Sequence, residues 1–299
     1  MSEPLSLESL AGRCQKRNHA TVGTWMARRI SRPAALRVTR VLAPLGVGAN
    51  TATMIAWMFA VAAAGAFAWG TPAAWLVAAV LFQAWYLWDH VDGQLARLRG
   101  TVSLEGAQLD YLMHHTVNLL IPLGIGYGCF AASGQTCWLG VATAWAVAML
   151  VIPLRYDTAY RAIIGRLQHL EGTLTVSGRG VGETSDEGPS DDARQTLLGR
   201  LARVPRKANE IHVVMNALTA IAVLSFLLGD AGLTLARGYL AVMAAGGLAV
   251  AAWSILRGHL RREAEAEFGR YFQVPRGHIL RFRDGLWRVE PAGGEEGEA

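Results

Sequence analysis

Charged residues are scarce in this chain, with Asp, Glu, Lys and Arg filling only 17% of its 299 positions. A soluble globular protein carries about 25%. The apolar residues, 52% of the total, are blocked rather than spread, and the mean hydropathy is +0.26. A soluble helical bundle would show amphipathic stripes instead, so that class is excluded. Cysteine is sparse too. Cys14, Cys129 and Cys137 have no spacing suited to a metal site or a disulfide framework, and the role expected of such thiols is inert burial. Basic residues are missing from the turns at 70–72, 133–135 and 229–230, an absence that carries the topology.

Six apolar blocks lie near 50–69, 73–94, 107–131, 136–154, 208–228 and 238–256. A helix needs ~20 mostly apolar residues to cross a bilayer. The expectation is an all-α integral membrane protein with six transmembrane helices. The first block begins far from Met1, lacks an A-x-A-like cleavage context and precedes further blocks; it is expected to span, not to act as a secretion signal. Positive charge in short loops stays cytoplasmic. Arg28, Arg29, Arg32, Arg37 and Arg40 precede the first block, Arg97 and Arg99 follow the second, and the stretch 155–207 and the tail from Arg257 are Arg-rich. Both termini are therefore expected inside, with Arg237 the one exception to the pattern. The net charge of +5 and pI of about 9.4 fit contact with anionic headgroups, and no nucleic-acid partner is expected.

Domain organisation follows. Residues 1–48 form an N-terminal cytoplasmic segment, 49–256 the six-helix membrane domain, and 257–299 a cytoplasmic tail. Within the first, residues 1–12 are expected to be poorly ordered. The stretch 20–44 mixes Trp, Met, Ile, Leu and Val with spaced Arg, a pattern suited to a helix lying in the headgroup layer, broken or restarted at Pro33. Asn50 is placed to cap the first span. The polar, Gly/Ser-rich stretch 172–195 reads as a flexible loop. The fourth span is expected to continue as a helix past Arg155, a further helix is expected over 262–272, and Asp284-Gly285 predicts a hairpin within 278–291.

Against this background "YLWDHVDGQLARLRGTVSLEGAQLDYLMHH" (86–115) is unusual, because it sets Asp89, Asp92 and Asp110 at the ends of apolar blocks. On a helix Asp89, Asp92 and Ala96 fall near one face, with Gly93 four residues after Asp89; on the next, Gly106, Asp110 and His114 share a face. The link between the helices is short, so they are antiparallel neighbours, and these groups reach a similar depth. Converging carboxylates repel unless a cation intervenes, and oxygen ligands suit Mg²⁺ or Mn²⁺, which commonly also hold a substrate phosphate. Single acids at a membrane edge usually just pair with arginines. Three acids and a histidine on matching faces instead read as a functional site. His90 and His115 point elsewhere and are expected to be structural.

The run resembles the signature of the CDP-alcohol phosphotransferase family. It reads Asp89-x2-Asp92-Gly93-x2-Ala96-Arg97-x8-Gly106-x3-Asp110-x3-His114, with histidine where the family has a fourth Asp. The resemblance implies transfer of a substituted phosphate, phosphatidyl above all, from a CDP-linked lipid donor such as CDP-diacylglycerol to a small alcohol acceptor. CMP is released, and the role is in phospholipid-headgroup biosynthesis. It implies that Asp89, Asp92, Asp110 and His114 hold one or two ions of Mg²⁺ or Mn²⁺, and that Gly93, Ala96, Arg97 and Gly106 line the nucleotide pocket. It also implies a homodimer in a membrane, the bacterial cytoplasmic membrane being the expected one, with the site on the cytoplasmic side. Arg155 and Arg206 are candidates for gripping an acceptor phosphate.

His114 leaves three readings open. It is the general base, since an unperturbed imidazole titrates at about 6.5 and a carboxylate at about 4. It is a neutral metal ligand that leaves the site one charge poorer. Or it marks a catalytically altered relative that binds CDP-lipid and metal for a partner.

Overall fold

Thr71 and Pro72 show how the local sequence sets the elements. Thr71 Oγ1 accepts from Ala74 N at 3.3 Å, and Pro72 occupies the first turn of the helix that follows, where its missing N–H has no intrahelical role. The computed structural model describes residues 6–15, 23–176 and 207–292, and the chain divides into two compact units. The first comprises 1–150 and 187–250, the second 151–186 and 251–299.

The first unit opens with α1 (Leu7–Cys14), capped by Ser6, whose hydroxyl accepts from Ser9 N at 3.2 Å. The expectation of disorder over 1–12 is corrected here for residues 6–12. Leu10 and Cys14 are buried with Leu36, and Leu98 closes over them, so a short amphipathic helix is held by tertiary packing. A π-helical turn (Ala27–Ser31) leads into α2 (Arg32–Leu42), where Pro33 sits in the first turn and starts the helix. Next come α3 (Ala49–Ala68), α4 (Pro72–Arg99) and α5 (Leu104–Ser133). Helices α6 (Cys137–Gln168), α7 (Ile211–Leu228) and α8 (Asp230–Leu260) follow. Asn50 does not cap α3. Gly48 holds the cap position, with no side-chain cap bond.

Small residues set the helix spacing. On α3, Ala52, Ala56, Ala60, Ala63 and Ala64 are buried. On α5, a Cβ at Gly124 or Gly128 would overlap the carbonyl oxygens of Ala64 and Phe67. This is the close backbone approach that a small-xxx-small face permits between membrane helices. Helix α4 fills the middle of the unit and buries Trp75, Phe82 and Trp85 completely. Its Gln83 Nε2 donates to Asn216 Oδ1 (3.2 Å) and Thr219 Oγ1 (3.0 Å) on α7.

Among the described residues, five helices are long and apolar enough to cross a membrane: α3, α5, α6, α7 and α8. The sixth expected span, now α4, does not meet that standard by composition. It is long enough, but it carries Gln83, Asp89, His90 and Asp92; Trp75, Phe82 and Trp85 are buried against protein, while Val77 and Val80 are exposed. A helix walled by other helices does not need an all-round apolar surface.

In the second unit α6 continues to Gln168 as expected, and α9 spans Glu263–Tyr271. Five short strands accompany them: β1 (Leu170–Glu171), β2 (Thr175–Val176), β3 (Phe272–Gln273), β4 (His278–Arg283) and β5 (Leu286–Pro291). The order β1-β5-β4 makes one sheet and β2-β3 another. The expected hairpin forms, with Asp284 and Gly285 at φ 53° and 82°, the pair of positive values a two-residue turn requires. The Arg166 guanidinium lies 4.7 Å from the Phe268 ring and 4.2 Å from the Trp287 ring and binds the Glu265 carboxylate through both nitrogens. Of the loop expected at 172–195, residues 177–195 lie outside the described residues.

Candidate active site

The α4–α5 connection is tightly specified. Gly100 ends α4 in the left-handed conformation at φ 65°, a role that favours glycine. Ser103 then caps α5, its hydroxyl accepting from Gly106 N at 3.0 Å. The side chains of Arg99 donate to Ala43 O (3.2 Å) and Gly46 O (3.3 Å), anchoring the end of α4 to the link before α3. The two helices therefore run antiparallel with their acidic ends level.

His114 Nε2 lies 3.0 Å from Asp89 Oδ1 and 3.4 Å from Asp110 Oδ1. Donor atoms of these three residues all fall within 4.8 Å of one another. Asp89 Oδ1 is buried and receives no well-directed hydrogen bond among the described residues, despite the nearby imidazole. Two carboxylates and one imidazole around a buried, undersatisfied oxygen suit a divalent cation, so these residues fit the implied metal. Trp85 meets the His114 ring edge-on, with centroids 5.7 Å apart, and fixes its plane.

Asp92 stands apart from that trio. Its Oδ2 accepts from Thr53 Oγ1 at 2.7 Å, and its Oδ1 accepts from Gly93 N at 2.5 Å. Thr53 was not singled out in the sequence, although Asn50 and Thr53, one turn apart at the head of an apolar block, were a visible signal. His90, expected to be structural, sits with Nδ1 3.6 Å from Asp89 Oδ2 and donates to Tyr86 O at 3.0 Å. His115 bonds the carbonyl of Tyr111 at 2.8 Å, as befits a structural group.

Two cavities meet at these residues. One, of about 220 Å³, is polar and is lined by Asp89, His90, Asp110 and His114 together with Gln15, Arg32 and Gln94. The second, of about 150 Å³, is lined by Asn50, Thr53, Ala96, Ser103, Gly106 and Ala107 among others. Asp92, Gly93, Arg97 and Asp110 line both. All four positions expected at a nucleotide, Gly93, Ala96, Arg97 and Gly106, thus border the second cavity. A Cβ on Gly106 would sit 3.3 Å from Ser103 Oγ and 3.5 Å from Asn50 Oδ1, so glycine there keeps the space open. Arg97 Nε donates to Cys14 O at 2.6 Å, which ties α1 to the site.

Two candidates remain, Arg155 and Arg206. Arg155, in the second unit, pairs with Glu263 at 2.5 Å and lies 4.1 Å from the Tyr156 ring centroid. Arg206 lies outside the described residues. Gln15, Arg32 and Gln94 were missed as cavity residues, since only tertiary folding joins α1 and α2 to α4.

Residues 47–170 match the family model described as CDP-alcohol phosphatidyltransferase. No curated protein matches the chain in sequence. Among solved structures, phosphatidylinositol phosphate synthase (PgsA1) of Mycobacterium tuberculosis with CDP-DAG bound superposes with a TM-score of 0.50 and 16% identity, over 76% of this chain and 92% of that one. At that identity the likeness speaks for the fold.

Proposed function

We propose, from the match of residues 47–170 to the CDP-alcohol phosphatidyltransferase model, that the chain acts as a member of that family through a specific reaction: transfer of a phosphatidyl group from a CDP-linked lipid, CDP-diacylglycerol above all, to an alcohol, with release of CMP. The observation that carries this reading is the junction of two cavities at the signature residues, with Asp89, Asp110 and His114 gathered there. The cavity edged by Gly93, Ala96 and Gly106 takes the cytidine nucleotide. The polar cavity takes the acceptor. That a CDP-DAG-bound synthase shares the fold supports the choice of donor.

Asp89 and Asp110 would hold the divalent ion, Mg²⁺ or Mn²⁺, with Asp92 held nearby by Thr53 as a further ligand and the His114 imidazole beside them. When bound, such an ion neutralises charge on the phosphates. The chain's own groups do the rest. Arg97, at the border of both cavities, orients the diphosphate. The acceptor hydroxyl oxygen attacks the phosphorus bonded to the diacylglycerol oxygen, the P–O bond to CMP breaks, and the hydroxyl proton passes to His114 Nε2. That role requires a free lone pair on the nitrogen, so the carboxylates hold the ion and His114 does not. Proton transfer of this kind typically contributes about 10²–10⁴-fold. Trp85 limits rotation of the imidazole, and Asp89 and Asp110 stabilise the imidazolium that forms. The arginine pattern of the loops supports a site on the cytoplasmic side, and the membrane proposed is the bacterial cytoplasmic membrane.

The test is CMP release by the purified protein from CDP-diacylglycerol with Mg²⁺ or Mn²⁺ and a pool of candidate alcohols. Wild type should release CMP, and His114→Ala should lower the rate by about 10²-fold or more while CMP still binds. A silent wild type that gains activity as His114→Asp would replace this reading with that of an altered, lipid-binding relative.

A further inference from the structure

Helix α1 lies outside the stretch 47–170 that carries the family match, yet it reaches a signature residue. Its apolar side is firmly seated. Leu10 and Cys14 are fully buried, packed with Leu36 of α2 and with Leu98, the neighbour of Arg97 on α4. The last turn closes where Gln15 N donates to Ala11 O at 3.1 Å. The Cys14 carbonyl, final in the helix, belongs to the group that finds no donor within an α-helix. It accepts instead from Arg97 Nε at 2.6 Å, which sets a cation at a helix C-terminus, where the dipole favours one. This bond divides the guanidinium. Nε is held by α1, while a Cβ on Gly93 would meet Arg97 Nη1 at 3.2 Å and Nη2 at 3.4 Å. The two Nη atoms therefore lie over Gly93, which borders both cavities.

We infer that α1 is a positioning strap. By holding Arg97 Nε it presents Nη1 and Nη2 together to the diphosphate of the CDP-linked donor, and so sets donor affinity. The inference rests on the role of Arg97 proposed above, but the strap is separable from the transfer step. An arginine side chain has much rotamer freedom to lose when it grips a ligand. A contact that fixes it beforehand removes that cost from binding, and paired N–H donors suit phosphate oxygens. Cys14 acts here through its main-chain oxygen, so the thiol takes no part. The device belongs to a segment that precedes the signature by more than seventy residues and meets it only through the packing of Leu10, Cys14, Leu36 and Leu98.

The experiment measures CDP binding to the full chain in detergent by calorimetric titration, alongside CMP release from CDP-diacylglycerol. Leu10→Asp unseats α1 from a position that lines neither cavity. Leu10→Ala does so more mildly and is read in its place if the first variant does not fold. Retained Mn²⁺ binding is the folding control. Each folded Leu10 variant should bind CDP about 3- to 10-fold more weakly, the scale of immobilising one long side chain. In an Arg97→Met background the strap has no guanidinium to hold, and the same substitution should change CDP affinity by less than about 2-fold. A merely structural role for α1 would weaken CDP equally in both backgrounds, and that result overturns the inference. So does unchanged CDP affinity in a folded Leu10 variant, or a wild type that binds no CDP. A wild type that shows the coupled loss of CDP affinity but releases no CMP would remove the transferase reading and leave the strap standing.

Discussion

His114 Nε2 approaches Asp89 Oδ1 to 3.0 Å across the gap between α5 and α4, closer than it comes to Asp110 on its own helix, at 3.4 Å. The interhelical contact is the shorter one. The trio is therefore a property of the α4–α5 pair and depends on the Gly100 and Ser103 turn that levels the two helix ends.

Metal affinity should follow this geometry. Asp89→Asn and Asp110→Asn should each weaken Mn²⁺ binding, read by electron paramagnetic resonance titration, by well over the roughly 10-fold lost when even an outer partner of a ligand is altered. Asp92→Asn should cost less in the absence of donor, because Asp92 is engaged by Thr53 and Gly93 N and lies outside the trio. Equal losses at 89 and 92 would mean that Asp92 is a full ligand without substrate.

Gly106 makes a steric prediction. Its missing Cβ faces Ser103 Oγ and Asn50 Oδ1 at the rim of the smaller cavity. Gly106→Val should abolish the thermal shift given by CMP, while Mn²⁺ binding through Asp89 and Asp110 persists. Retained CMP binding in a folded Gly106→Val protein would move the nucleotide out of this cavity.

How much of this was legible in the chain depends on the range of each interaction. The face carrying Asp89 and Asp92, and that carrying Gly106, Asp110 and His114, follow from helical spacing and a short link, so their convergence could be read directly. The hairpin at Asp284-Gly285 was equally local. Helix α1 was missed because an eight-residue helix is marginal alone and is held here by Leu36 and Leu98. Arg32 reads as topology and Gln15 carries no signal of its own, since only the folding of α1 and α2 against α4 brings them to the cavity. The apolarity of α4 reads as a span, yet Trp75, Phe82 and Trp85 are buried against protein. Periodicity alone does not say whether an apolar face meets lipid or a neighbouring helix.

Helix packing gives a third prediction. Gly128→Ala drives a methyl into the Phe67 carbonyl oxygen, whereas Gly140→Ala meets nothing within 4 Å. The first should destabilise the protein by about 1–3 kcal/mol, the range for overpacking a close contact, and the second should be neutral or slightly stabilising through helix propensity. Thermal melts of the two variants in one detergent separate these outcomes. Equal melting temperatures would show that α3 and α5 are not in backbone contact at this point.

The tail unit carries a pH dependence. The Arg166 guanidinium, hydrogen-bonded to Glu265, holds that carboxyl below the ordinary glutamate value of 4.5. A lowered folded-state value means that the pair's contribution is fully present above the unfolded value and is lost as pH falls through the folded one. Glu265 is largely exposed, so the effect is screened and modest. Hydrogen exchange across 263–291, corrected for intrinsic rates, should be faster in Glu265→Gln than in wild type at pH 7. The two proteins should converge once the pH is well below the glutamate range. No difference at pH 7 would assign the protection to the stacking of Arg166 between Phe268 and Trp287, with the carboxylate playing no part.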